Sequence, residues 1–142
     1  MPRTYARLSD RHPFEVYLLA LTLLAAVPAS FGVAPAPATI RVQLDPTAAR
    51  LWAIALMVGA AVALVGLCWK RPRQGLSVTG LGLEQVGLTF VGAATVFYAA
   101  CAFLAAGTPA LIPLGTVLAF GVASFRQAWK IHRILKALQE GL

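Results

Sequence analysis

Residues 51–69 read LWAIALMVGAAVALVGLCW, and the four residues after them read KRPR. The run carries no charged side chain, and its length is close to the roughly 20 residues that a helix needs to cross a bilayer. Trp52 and Trp69 near its ends are typical of membrane–water interfaces, and a basic cluster is typical of a cytoplasmic flank. The stretch predicts a transmembrane helix that ends in the cytoplasm.

Three further apolar runs have a similar length. Together the four runs predict spans at about residues 14–33, 50–69, 82–106 and 109–126. The 142-residue chain is 59% hydrophobic and 12% charged, whereas soluble domains average roughly 25% charged residues. A soluble domain of this size could not cover so much apolar surface. We therefore predict an all-α fold, a bundle of four transmembrane helices that forms one integral membrane domain over residues 1–142.

The basic residues predict the orientation of this bundle. Ten of the twelve Lys and Arg residues precede the first span, join the second to the third, or follow the fourth: Arg3, Arg7, Arg11, Lys70, Arg71, Arg73, Arg126, Lys130, Arg133 and Lys136. Only Arg41 and Arg50 lie in the other connections. The positive-inside rule then places both termini in the cytoplasm and the chain in the cytoplasmic (inner) membrane. Anionic lipid headgroups account for the net charge of +7, so we expect no nucleic-acid partner.

The first span has a competing interpretation as a cleaved signal peptide. Ala34-Pro35-Ala36 resembles a small-residue cleavage site. The apolar run is longer than a usual signal-peptide core and carries Glu15, which favours a retained span.

The connection between the first two spans is proline-rich. Within it, residues 39–44 alternate between apolar and polar side chains, which predicts one short strand or an extended surface segment. Asp45-Pro46-Thr47 then provides a capping signal for the second span.

The fourth helix is expected to continue past the membrane as a basic amphipathic tail over residues 127–140. Ile131, Ile134, Leu135 and Leu138 share one face, and the opposite face carries Arg126, Lys130, Arg133, Lys136 and Glu140. Such a helix either lies on anionic headgroups or docks into a groove of a protein partner. Trp129 favours the membrane surface, because aromatic rings are frequent at headgroup depth.

Small residues at four-residue spacing predict where the helices pack, because close approach of backbones drives helix association in lipid. One stripe lies on the second span and another on the fourth: Ala55, Gly59 and Ala63, and Gly115, Ala119 and Ala123. We expect these two stripes to contact each other, within one chain or between copies in a homo-oligomer. The glycines of the third span are five residues apart and predict no single groove.

Glu15 and Glu84 are the charged residues that require an explanation, because charges inside a membrane are costly. Each lies near the cytoplasmic start of a span. A carboxylate in a first helical turn gains about 0.3–1 kcal/mol from the helix dipole, and Arg11 or Arg73 could pair with it. Alternatively, the two glutamates form a proton or cation site at the inner mouth of the bundle, with Gln85 as a helper.

The remaining polar residues form no catalytic or metal-binding motif. His12 and His132 lack a second ligand at a helical spacing, and the hydroxyls of the spans lack a base. Cys68 and Cys101 map to different depths, which predicts no disulfide between them. We therefore expect a protein that is not an enzyme and that binds no cofactor or metal.

The stretch RHPFEVYLL at residues 11–19, LGLE at residues 81–84 and the four-span layout resemble small uncharacterised membrane proteins of actinobacteria and their phages. This resemblance implies that a lysis role or a role at a host membrane belongs among the candidate functions.

The sequence leaves three candidate functions. The first is a structural or interaction role at the membrane, the second is a holin-like pore-forming lysis protein, and the third is a small proton-coupled transporter or channel that uses Glu15 and Glu84.

Overall fold

The structure is a computed structural model that describes residues 13–69, 78–107 and 111–140. These residues form five helices and no strand: α1 (Pro13–Ser30), α2 (Ala38–Gln43), α3 (Pro46–Cys68), α4 (Val78–Ala106) and α5 (Leu111–Glu140). The predicted all-α class is confirmed for them. By length and composition, α3 and α4 are able to cross a membrane, and α1 contains a shorter apolar helix, Glu15–Ser30.

Local sequence signals explain several helix ends. The Asp45 side chain accepts a hydrogen bond of 2.6 Å from the backbone N–H of Ala48, which caps α3 as the sequence predicts. α1 ends at Ser30, and the chain turns at Gly32, whose φ is +72°. α4 ends before Gly107, where φ is +64°, and the Gly107 N–H donates to the Phe103 carbonyl. Glycine adopts such left-handed values without strain, so both turns follow directly after a helix.

The predicted strand or extended segment at residues 39–44 is wrong, because α2 forms there instead. The Pro37 carbonyl accepts hydrogen bonds from the N–H groups of Ile40 and Arg41, which starts a helical turn. Ile40 is completely buried against Ala49 of α3 and Cys101 of α4. A single turn of helix is sufficient to bury this one side chain, and no neighbouring strand is needed.

The long helices pack in series. Cα atoms approach within 8 Å between α1 and α3, between α3 and α4, and between α4 and α5. No such approach joins α1 to α5 among the described residues. We call the end where α3 finishes and α4 begins the basic end, and the opposite end the α2 end. A core cluster fills the basic end, formed by Leu19, Ala60, Ala63, Leu67, Leu81, Leu88, Val91, Ala128 and Ile131.

Glycines determine the contact between α3 and α4. A Cβ added at Gly87 would collide with the backbone of Ala63 and stand 2.6 Å from the Gly59 carbonyl oxygen. A Cβ added at Gly66 would stand 2.7 Å from the Gly80 carbonyl oxygen. The two backbones therefore approach as closely as glycine permits.

Within one chain, the stripes of the second and fourth spans do not contact each other. α4 lies between α3 and α5, and Gly59 and Ala63 face Gly87 of α4. Five residues turn a helix by about 140° beyond one full turn, so consecutive glycines of α4 point in different directions. Gly87 faces α3, whereas Gly92 faces Gly121 of α5.

Gly115 and Ala119 of the stripe on the fourth span point away from the neighbouring helices. No heavy atom lies within 4 Å of a Cβ added at Gly115, and Ala119 and Ala123 are exposed. On α3, Ala55 is half-buried.

Candidate functional site

Glu15 and Glu84 line the same cavity, the basic-end cavity, which has a volume of about 160 Å³. Residues from all four long helices surround it: Leu18 and Leu19 of α1, Leu67 of α3, Leu88 of α4, and Phe120, Ala123, Ser124 and Gln127 of α5. A volume of this size has room for several water molecules, each of which needs roughly 10–15 Å³ of such space. The cavity thus brings two glutamate residues to one space that has mostly apolar walls and is large enough for several water molecules.

The cavity follows from the packing order of the helices. Because the α1 and α5 backbones do not approach closely, a gap remains between them. Glu15 enters it from the first turn of α1, and Glu84 from the second turn of α4. Gly66 of α3 permits the close approach of the Glu84 backbone, since a Cβ at Gly66 would collide with the Glu84 backbone nitrogen.

Glu84 is the more enclosed of the two carboxyl groups. It is 1% exposed, whereas Glu15 is half-buried. Transfer of a charged carboxylate out of water is costly unless a partner or a proton neutralises it. Glu84 is therefore the group in this cavity whose charge the surroundings control most strongly. The proposed partners Arg11 and Arg73 lie outside the described residues.

Ser124 and Gln127 are polar residues of this cavity that the sequence analysis missed. The Ser124 hydroxyl donates to the Phe120 carbonyl at 3.0 Å, and Gln127 lies one turn further along α5. The available signal was helical spacing, because residues 120, 123, 124 and 127 fall on one face. This face becomes a cavity wall only because residues of α1 lie opposite it.

Gln85, the predicted helper of Glu84, lies outside the basic-end cavity. Its Nε2 atom lies 3.3 Å from Nδ1 of His132. One residue rotates a helix by about 100°, which directs Gln85 toward α5 instead. The centroid of the Trp129 ring lies 6.0 Å from that of the His132 ring. The contact between Gln85 and His132 therefore connects α4 to α5 beside the exposed Trp129 ring.

The apolar face of the tail packs within the chain. Ile131 is 0% exposed, Ala128 is buried beside it, and Ile134 and Leu135 pack against the same core cluster. The expectation that this face lies in lipid or in a partner's groove is therefore wrong for Ile131, whereas Ile134 and Leu135 are partly buried against the bundle. The side chain of Leu138 lies outside the described residues. The tail packs here because α5 continues alongside α4, where Leu81 and Leu88 belong to the same cluster.

The opposite face of the tail is exposed, and it is basic. It presents Trp129, which is 66% exposed, together with Arg126, Lys130, Arg133 and Lys136. This set is referred to as the basic face of α5.

No family model, no curated protein and no solved structure matches the chain. The resemblance based on residues 11–19 and 81–84 stays a prediction, and the function is inferred from geometry.

Proposed function

We propose that α1, α3, α4 and α5 cross the cytoplasmic membrane as a four-span bundle with both termini inside. The observation that carries this proposal is the distribution of side-chain size. Buried positions of α3 are mainly alanine and glycine, whereas large apolar side chains are exposed on α3 and α4, including Leu51, Ile54, Val58, Val65, Val86, Phe90, Phe97, Phe103 and Leu104. Such a surface is rare in soluble monomers, and it is expected where acyl chains face the large residues and small residues join the helices.

The length of α1 is compatible with this arrangement. The apolar helix Glu15–Ser30 spans about 24 Å, which is shorter than the roughly 30 Å hydrocarbon core. Short spans are accommodated by local thinning of the bilayer and by long basic side chains that reach back to the headgroups. Arg126 and Lys130 on α5 are exposed and able to do this.

We infer a non-enzymatic structural or interaction role at the inner membrane surface. With its apolar side packed in the bundle, the tail offers partners the basic face of α5. Four cationic side chains and Trp129 fit anionic headgroups or an acidic protein surface. The exposed small residues Gly115 and Ala119 fit a second copy of the chain.

Cysteine labelling tests the topology. After replacement of Cys68 and Cys101 by alanine, we expect an impermeant maleimide to label Gln43→Cys in intact cells, because residue 43 is exposed on the outer side. Ala137→Cys, which is exposed on the tail, should react only after permeabilisation. The parent without cysteines is the control. Labelling of Ala137→Cys in intact cells would overturn the proposed orientation.

A proton-coupled transporter or channel is the second candidate, because two carboxyl groups share the basic-end cavity. In liposomes that carry a pH gradient, Glu84→Gln should lower proton flux about tenfold or more, and Glu15→Gln should lower it less, because Glu15 is less buried. Asp45→Asn is the matched control: it removes a carboxylate at the other end and keeps a good helix cap.

The same preparation separates the three functions. A scaffold gives no flux above that of empty liposomes, whereas a transporter gives flux that depends on Glu84. A holin-like pore gives a sudden loss of membrane potential above a threshold concentration, and substitution of Glu84 leaves it unchanged.

A further inference from the structure

A second and larger cavity, the α2-end cavity, lies at the opposite end of the bundle. Its volume is about 410 Å³, and it is an open cleft lined by the end of α1, the turn after it, α2 and the start of α3. Arg41 and Arg50 line it, and these are the two basic residues that the charge pattern leaves outside the cytoplasmic groups. The other walls are mainly apolar: Ala29, Ala34, Pro35, Ala36, Leu44 and Ala49.

The Arg50 side chain lies against the turn after α1. A Cβ added at Gly32 would collide with an Arg50 Nη atom and stand 3.1 Å from Cζ. Gly32 also has a φ of +72°, a value that other residues rarely adopt. The glycine thus leaves the space that the guanidinium group occupies at the cavity wall.

Both arginines have their donors available. Within the part of the chain that the structure describes, neither guanidinium donates a hydrogen bond or joins an ion pair. Asp45 is the one acidic residue of the two outer connections, and its carboxylate already caps α3. Pro46 and Thr47 of the first turn of α3 also line the cavity, but the Asp45 carboxylate already offsets the positive potential of this helix N-terminus, so the two arginines supply the positive charge.

We propose that the α2-end cavity binds a phosphate group through Arg41 and Arg50. Guanidinium groups match phosphate oxygens with paired hydrogen bonds, and the two positive charges exceed the single negative charge of a phosphodiester and match a doubly charged phosphate. The group belongs either to a soluble phosphate compound or to a phospholipid of the outer leaflet, whose glycerol and first acyl carbons suit the apolar walls. This site is separate from the proposed role of the basic face of α5.

Protection of the arginines from phenylglyoxal, read by peptide mass spectrometry, tests the site directly. The full chain is kept in detergent micelles without phosphate buffer. Inorganic phosphate should protect Arg41 and Arg50 at concentrations at which acetate does not. Dioleoyl phosphatidylglycerol should also protect them, whereas dioleoylglycerol, which lacks phosphate, should not. Protection at lower concentration by the lipid identifies a phospholipid as the source, and the reverse order identifies a soluble phosphate compound.

The Arg50→Gln variant tests whether the two arginines form one site. It should raise the phosphate or lipid concentration that protects Arg41 by about tenfold or more, because charge-assisted hydrogen bonds are lost. Arg126→Gln removes the same charge at the other end and should leave protection of Arg41 unchanged. The proposal is overturned if neither phosphate nor lipid protects, if acetate or dioleoylglycerol protects equally, or if Arg50→Gln has no effect.

Discussion

Replacement of Gly87 by valine should force α3 and α4 apart and destabilise the bundle by about 3 kcal/mol or more, at the upper end of the usual overpacking cost. The new side chain would collide with the backbone of Ala63, and its Cβ would lie 2.6 Å from the Gly59 carbonyl oxygen. Backbone atoms cannot move aside as a flexible side chain can. The measurement is thermal unfolding in detergent, followed by circular dichroism.

Gly82→Val is the matched control for this prediction. Gly82 lies on the same helix, and no heavy atom lies within 4 Å of a Cβ added there. Its valine variant should unfold close to the wild-type temperature. If both variants unfolded at an equally lowered temperature, the presence of valine in α4, and not the close contact between α3 and α4, would be responsible.

Ile131→Ala should have the second largest effect, a loss of about 2–5 kcal/mol, which is usual when a buried aliphatic side chain is shortened to alanine. Ile131 is 0% exposed and packs in the same core cluster as Leu67 and Leu81. Its loss should also release the tail, so trypsin should cleave after Lys130 and Arg133 faster than in the wild type. Unfolding in mixed micelles measures the first effect, and timed proteolysis measures the second.

Leu118→Ala provides the control on the same helix. It removes as many carbon atoms as Ile131→Ala, but Leu118 is 41% exposed on the proposed lipid face. Acyl chains fill the vacated space there, so the loss should remain below about 1 kcal/mol, because apolar burial does not drive helix association in lipid. If the two variants lost the same stability, Ile131 would not be packed as the structure shows.

The sequence predicted most of the helices, because long apolar runs and caps such as Asp45 act locally. The sequence also placed Glu15 and Glu84 on the same side of the proposed bundle, because each lies near the cytoplasmic start of a span. That the two share a cavity depends on which helices are neighbours, and apolar periodicity does not encode this. Ser124 and Gln127 were missed for the same reason, since only the gap between α1 and α5 makes them lining residues.

The errors have related physical causes. Gly59 and Ala63 do lie at a close helix contact, but their partner is Gly87 and not the stripe at Gly115. A pattern of small residues marks a face that permits close approach and does not identify the opposing helix. The alternation at residues 39–44 failed because a single residue, Ile40, is buried there, and one helical turn achieves this as well as a strand does.

The position of α1 in the series has a consequence for biosynthesis. Among the long helices, its backbone closely approaches only α3, which ends at Cys68. In the proposed membrane topology, α1 would therefore wait in the bilayer or at the translocon until nearly half of the chain has been synthesised. Its attachment is then a late step, and a ribosome stalled before residue 68 would leave α1 without a docking partner and accessible to quality-control proteases.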